Sequence, residues 1–478
     1  MNIAYLRKNS VKRGAFYLQY FVNQGYDPAM NNNQLKQRDL NVLWHPCTQM
    51  KDHETLPMIP IRRGEGVWLE DFEGNRYIDA ISSWWVNLFG HANPTINTAI
   101  KAQLDELEHV LLAGFSHEPI IQLSEQLVAI TPPGLTRAFY ADNGSSAVEV
   151  ALKMSYHYWL NSGQPEKKQF VCLSNSYHGE TLGTLAVGDV ALYKETYEPL
   201  LMKSIVVPGP DCYQREDDET CREVAIRQFE HMEKILAEQG DQIAAVIVEP
   251  LVQCAGNMRM YDPVYLELLR AACDRYNVHL IADEIAVGFG RTGTMFACEQ
   301  ADISPDFMCL SKGLTGGYLP LSVVMTHEHI YDAFYDDYEN LTAFLHSHSY
   351  TGNPLACSAA LATLQIFTNE NVIKSNQKLI EKMADSTRHL EAHPHVSEVR
   401  QTGMILAIEM VKDKATKTAF DWRERRGIRV YQHALSQGAL LRPLGNVIYF
   451  MPPYIITEAQ IETLASIATE GIEIATKT

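Results

Sequence analysis

An α/β fold built on a mostly parallel central sheet is predicted by three features of the 478-residue sequence. Short apolar runs alternate with helically spaced segments through the middle of the chain, as parallel strands joined by crossover helices require. Two successive runs end abruptly in an ionisable residue, Asp283 and Lys312. The two chain ends lack this alternation and read as a smaller α+β domain assembled from both of them.

Taken in order, the first 30 residues are basic and polar-aromatic (Arg7, Lys8, Lys12, Arg13) and have no apolar h-region. They read as a loosely attached extension rather than a secretory signal, with Met30 a conceivable alternative start. Residues 31–83 carry a short meander turning at Glu73-Gly74-Asn75 and supply the N-terminal part of the small domain. Residues 84–365 form the large domain. Its strands are predicted at 137–141, 170–173, 204–207, 244–248, 278–282 and 307–310. Helical stripes fall at Ile100, Leu104, Leu107 and Leu111, over 147–160, and at Tyr265, Leu268, Leu269 and Ala272. Residues 366–478 mix helices with alternating strands at 404–410 and 447–450. Thr457 stands three residues before Gln460, a capping box that opens a closing helix with the stripe Ile461, Leu464, Ile467.

Composition removes several function classes. With 40 basic against 58 acidic side chains the net charge is −18, which argues against a nucleic-acid binder. At 46% hydrophobic and 21% charged, the chain is neither disordered nor fibrous. No apolar run approaches the roughly 20 residues that span a bilayer, so a soluble cytoplasmic protein is expected. The nine cysteines are scattered without a CxxC pair and read as reduced, mostly buried thiols. His346 and His348 have strand spacing but no third ligand nearby, and no metal site is assigned.

The chemistry is concentrated at strand ends. His279-Leu280-Ile281-Ala282-Asp283 is an apolar run delivering a carboxylate to the carboxyl edge of the sheet, where open α/β sheets bind ligands. A buried carboxylate needs a cationic or hydrogen-bonding partner, and a protonated pyridine nitrogen is one such partner. The alternative is a capping or salt-bridged aspartate. The next strand ends in Ser311-Lys312-Gly313, where desolvation lowers an amine pKa and suits it to Schiff-base chemistry. Asp142-Asn143-Gly144-Ser145-Ser146 joins a strand to a helix, and Gly144 and Ser145 at that helix N-terminus can cradle a phosphate. A plain N-cap by Asn143 or Ser145 is the other reading. Tyr177, after the second strand, offers an aromatic face to a planar ring. Gly288-Phe289-Gly290-Arg291-Thr292-Gly293 matches the dinucleotide fingerprint, but Asp283 and Glu284 stand just ahead of it and the pattern runs on as loop.

As a set, Asp142-Asn143-Gly144-Ser145-Ser146-Ala147-Val148-Glu149, Tyr177-His178-Gly179, Ala282-Asp283-Glu284, the Gly288–Gly293 run, Ser311-Lys312-Gly313 and Thr351-Gly352-Asn353-Pro354 resemble the class III aminotransferases dependent on pyridoxal 5'-phosphate (PLP). The resemblance implies a fold type I enzyme working as a homodimer with active sites at the subunit interface. It implies that Lys312 binds PLP and shuttles the proton, and that Asp283 keeps the pyridine nitrogen protonated. Gly144 and Ser145 would bind the phosphate, joined by His348 and Ser349 of the partner subunit. Tyr177 would pack beside the ring and line the substrate pocket. Trp84, the backbone near Ser347 and Arg442 would contact substrate, Arg442 pairing with a terminal carboxylate.

Trp44-His45-Pro46, Ser82-Ser83-Trp84-Trp85, Leu441-Arg442-Pro443 and the run from Tyr449 to Tyr454 are most similar to one branch of that family. Its members move an amino group from S-adenosylmethionine to 8-amino-7-oxononanoate in biotin biosynthesis. A greasy channel walled by Trp84, Trp85 and Tyr454, with Arg442 at its far end, suits that long keto acid. Two departures stand out: Cys47 replaces a frequent tyrosine, and Ser347-His348-Ser349 replaces Gly-Pro-Thr. Lysine as donor, an ω-aminotransferase of acetylornithine or 4-aminobutyrate, and a PLP decarboxylase or aminomutase remain open alternatives.

Overall fold

The computed structural model describes residues 30–216 and 218–477, so the basic N-terminal segment lies outside the described residues. Seven strands build the main sheet: β1 (Leu135–Ala141), β2 (Gln169–Leu173), β3 (Ile205–Val207), β4 (Ile243–Val248), β5 (His279–Asp283), β6 (Phe307–Leu310) and β7 (Ser322–His327). Their spatial order is β1-β7-β6-β5-β4-β2-β3. The central strands pair in parallel, and β7 alone runs against its two neighbours. Every residue of β4, β5 and β6 is buried, which is why these strands read as continuous rather than alternating apolar runs.

Six of these strands were predicted, each within two residues at either end. The antiparallel β7 was not, because Ser322, Thr326 and His327 dilute its apolar character and no helical crossover announces it. Helices α1 (Pro94–Glu106), α2 (Glu118–Ile130), α3 (Gly144–Asn161), α4 (Cys221–Gln239), α5 (Val264–Tyr276) and α6 (Pro354–Glu370) belong to the same part of the chain. The stripe Ile100, Leu104, Leu107, Leu111 is corrected. Asn93 caps α1 and Pro94 opens it, so the helix starts early and ends at Glu106. Leu107 is already extended, Leu104 and Leu111 face outward, and Ile96 is the buried residue instead.

Toward the C-terminus, β8 (Val396–Thr402), β9 (Ile405–Asp413) and β10 (Val447–Phe450) form an antiparallel sheet with β9 in the middle. The closing helix Glu458–Thr476 begins at the Thr457/Gln460 capping box and buries Ile461, Leu464 and Ile467, as predicted. The thiol expectation fails at one place. Cys212 and Cys221 form a disulfide, their Cα atoms brought to 5.0 Å by the turn ahead of α4. Six further cysteines are buried thiols and Cys47 is an exposed one.

The chain divides into two compact units, one running up to Arg63 with Leu69–Arg76, the other comprising Gly64–Trp68 and everything from Tyr77. In the first unit the helix Asn32–Val42 is capped by Asn31. Asp71 organises the Glu73-Gly74-Asn75 turn, accepting from the N–H groups of Glu73 and Asn75 and from the Asn32 and Asn75 amides. Trp44, His45 and Cys47 belong to this unit, with His45 bound to Asp39 at 2.6 Å. All residues of the site described next belong to the second.

Candidate active site

Register places the chemistry. Ala282 lies beside Val248, so Asp283 and Glu249 leave the carboxyl edge side by side; Asp283 in turn lies beside Cys309, three residues before Lys312. Asp283 is buried, accepts from the Ile285 N–H, and meets His178 Nδ1 at 2.7 Å. Lys312 follows β6 in a left-handed conformation, φ 44°. Desolvation, opposed by Asp283, Cys254 and Glu249, holds its amine below the usual lysine range. Its Nζ lies 5.3 Å from the centre of the Trp85 ring. Glu249 accepts N–H bonds from Tyr177 at 2.9 Å and Cys254 at 3.0 Å. Burial, with a smaller push from Asp283, raises its pKa to about 7.

The phosphate cradle is also formed. Asn143 caps α3 by accepting from the Ser146 N–H, so the capping reading holds. The first-turn N–H groups of Gly144 and Ser145 have no intrahelical acceptor and are free for an anion. A Cβ on Gly144 would come within 3.0 Å of Ile285, and one on Gly179 within 2.0 Å of Ser145 Oγ, so both glycines are set by close approach. Tyr177 sits at the same end, its hydroxyl on Glu180 at 3.0 Å and its ring 5.4 Å from Tyr193.

A second group of residues faces Lys312 from outside the sheet. Ser82, Ser83, Trp84 and Trp85 all have positive φ, a left-handed turn costing about 1–2 kcal/mol per residue. It presents Trp85 to Lys312 and Trp84 to Arg442, whose guanidinium lies 5.0 Å from the Trp84 ring. Trp85 Nε1 donates to the Tyr449 hydroxyl at 3.0 Å; burial pushes that phenol well above its usual range, and the nearby Arg442 guanidinium opposes the shift only in part. One chain of side chains therefore runs from the reactive amine to an exposed guanidinium.

One expectation is not met. Tyr454 is no channel wall: it is buried, donates to the Phe289 carbonyl at 2.6 Å and lies under Arg291. Arg291, from the glycine-rich run, is itself buried and bonded to the carbonyls of Asn87 and Pro452, so that run serves packing. Ser347, His348 and Ser349 lie on an extended segment in which residues 342, 344, 346 and 348 turn inward. His348 faces Asp142 at 3.3 Å, just ahead of the cradle, and Ser347 and Ser349 are exposed. His178 and Glu249 were given no role from sequence. Glu249 follows an apolar strand as Asp283 ends one, so the same signal could have found it.

A planar heterocycle carrying a phosphate and a ring cation fits this donor set. His178 holds Asp283 in place, the Lys312 amine makes no hydrogen bond among the described residues, and the cradle is closed to side chains but open to an anion. The Aminotransferase class-III family model matches residues 49–471. The chain belongs to the class III aminotransferases, enzymes dependent on pyridoxal phosphate. It is 51% identical over 429 residues to the adenosylmethionine-8-amino-7-oxononanoate aminotransferase of Helicobacter pylori, covering 89% of this chain and 94% of the relative. The Geobacter sulfurreducens protein of the same name is 42% identical, covering 93% and 98%. The crystal structure of the Methanocaldococcus jannaschii protein of that name superposes with TM-score 0.88 at 39% identity, covering 93% and 99%. An omega transaminase from Pseudomonas jessenii in complex with PMP gives the same TM-score at 29% identity, covering 92% and 98%.

Proposed function

We propose that the protein transfers an amino group from S-adenosylmethionine to 8-amino-7-oxononanoate, giving 7,8-diaminononanoate in biotin biosynthesis. The observation that carries this reading is the path from Lys312 through Trp85 and Tyr449 to Arg442, with Trp84 beside it. It suits an acceptor with a reacting keto-amine at one end and a carboxylate at the other. The names of the relatives support the same pair of substrates.

Bound pyridoxal phosphate supplies an electron sink for charge developing at the substrate carbon. Asp283, held by His178, would sit against the ring nitrogen, and Gly144 and Ser145 would hold the phosphate. The Lys312 amine, its pKa lowered by desolvation, would act as nucleophile and then carry the proton at the reacting carbon. Tyr177 would flank the ring, while Trp85 shields the amine from water. Arg442 binds the acceptor carboxylate. In this reading residues 84–365 are the cofactor-binding domain of a cytoplasmic homodimer. His348 and Ser349 of the partner subunit complete the phosphate site, and the backbone at Ser347 reaches substrate.

The test is the visible absorption of the PLP-loaded protein before and after S-adenosylmethionine is added without acceptor. The band falls with S-adenosylmethionine and returns with 8-amino-7-oxononanoate if the reading is right. A fall with lysine alone keeps the acceptor and replaces the donor. A fall with neither, but with acetylornithine or 4-aminobutyrate, removes the proposal.

A further inference from the structure

One carboxylate holds Ser83 in the middle of the left-handed turn. Ser82, Ser83, Trp84 and Trp85 have φ of 52°, 47°, 76° and 73°, a conformation that persists only where its surroundings over-determine it. Asp79, completely buried, accepts the Ser83 N–H at 2.8 Å on one oxygen and the Ser83 hydroxyl at 2.6 Å on the other. His91 Nε2 meets that second oxygen at 3.0 Å. Asn87 donates its amide to His91 Nδ1 at 3.2 Å, which leaves the ring proton on Nε2, facing Asp79. Asp79 is fixed in turn by backbone, since its strand pairs with Ala439–Leu440, Asp79 opposite Leu440. Arg442 lies two residues beyond Leu440.

The two tryptophans depend on this anchor unequally. Trp85 is pinned independently, by its indole on Tyr449 and by the Ser82 hydroxyl on the Met451 carbonyl at 2.7 Å. Trp84 is 39% exposed, and its ring meets the Arg442 guanidinium. Its direction is set by the backbone of Ser83. We infer that Asp79 is a positioning and specificity-determining residue: through Ser83 it aims Trp84 at Arg442 and so shapes the acid-binding end of the site. This rests on the assignment of Arg442 as carboxylate anchor.

Asp79→Asn and Ser83→Ala, each alone and combined with Trp84→Ala, test it by steady-state and half-reaction kinetics together with near-UV circular dichroism. Asp79→Asn should raise the acceptor KM about tenfold, with the donor half-reaction within about twofold of its original rate. It should also change the tryptophan near-UV signal, and it should add nothing once Trp84 is alanine. Ser83→Ala keeps the N–H bond to Asp79 and should show the same signature at smaller size. Additive effects of Asp79→Asn and Trp84→Ala, or equal losses in both half-reactions, overturn the inference. An acceptor KM unmoved by Arg442→Ala removes the anchor reading separately. The near-UV cycle between Asp79 and Trp84 then still decides the positioning role.

Discussion

The sheet edge and the left-handed turn reach the same lysine by opposite means. At the edge, Asp283, Glu249 and Lys312 are delivered by parallel strands whose register leaves little freedom, and Gly144 and Ser145 by a regular helix start. Across from them, Trp84, Trp85 and Arg442 come from segments far apart in sequence, held by strained backbone and single buried groups. Reaction chemistry is placed on strand register and a helix start, with Lys312 itself just past its strand in a left-handed conformation. Substrate selection is placed where one or two contacts can retune it. An omega transaminase shares the fold at 29% sequence identity.

Substitutions can break or sharpen this contrast. The largest effect is expected from Lys312→Ala, which should lower turnover by roughly 10⁴-fold or more and remove the covalent link to cofactor. Acceptor binding should survive, and robust single-turnover chemistry would show that the edge is not where the reaction occurs. Arg442→Ala should raise the acceptor KM by roughly ten- to a hundredfold while leaving the donor KM alone. A matching rise for the donor would merge the two regions into one.

A third test probes the edge through pH. Burial raises Glu249 and Glu284 to about 7, against 4.5 for an unperturbed glutamate. At these two groups the folded chain binds more protons than the unfolded one across that interval, so their own contribution to stability declines as pH rises from about 4.5 to 7. Buried His279, lowered to about 3, contributes with the opposite sign. Glu284 caps the short helix Ala297–Ala301 through the N–H groups of Ala297 and Cys298. Glu284→Gln should flatten the decline by on the order of 1–3 kcal/mol, read from chemical denaturation at both ends of the interval. An unchanged slope would mean that Glu284 is ionised throughout. The smallest effect is expected from Tyr177→Phe, since the lost hydroxyl bond goes to the exposed Glu180; activity should stay within about threefold. A large loss would give the phenol a chemical part.

Legibility from sequence follows the same line. Asp283 and Lys312 could be read because an apolar run with no period-two alternation marks a buried parallel strand, and its terminus marks the ligand edge. Glu249 obeys the same rule, standing one residue past a strand whose end was placed correctly, yet it was given no role from sequence. Strand β7 escaped notice because its serine, threonine and histidine carry no such pattern. The aim of Trp84, the burial of Tyr454 and the hold of Asp79 on Ser83 had no local signal, since each depends on segments brought together only by the finished fold. The disulfide Cys212–Cys221 was invisible for that reason too, because spacing alone does not bring two thiols together.

The placement of β7 has a consequence for how the chain acquires its shape. Strand β1, which leads into the phosphate cradle, has β7 as its neighbour in the sheet, with Val323 opposite Tyr140. While the ribosome is still making the intervening strands, β1 has nothing to zip against, and α3 has no sheet beneath it at that edge. The strand pairing that backs the cradle forms only after Ser322–His327 has emerged, a contact of high sequence separation of the kind that slows folding. Before that pairing the β1 strand with Tyr140 and Ala141 has no strand neighbour, the kind of unpaired edge that favours misassociation.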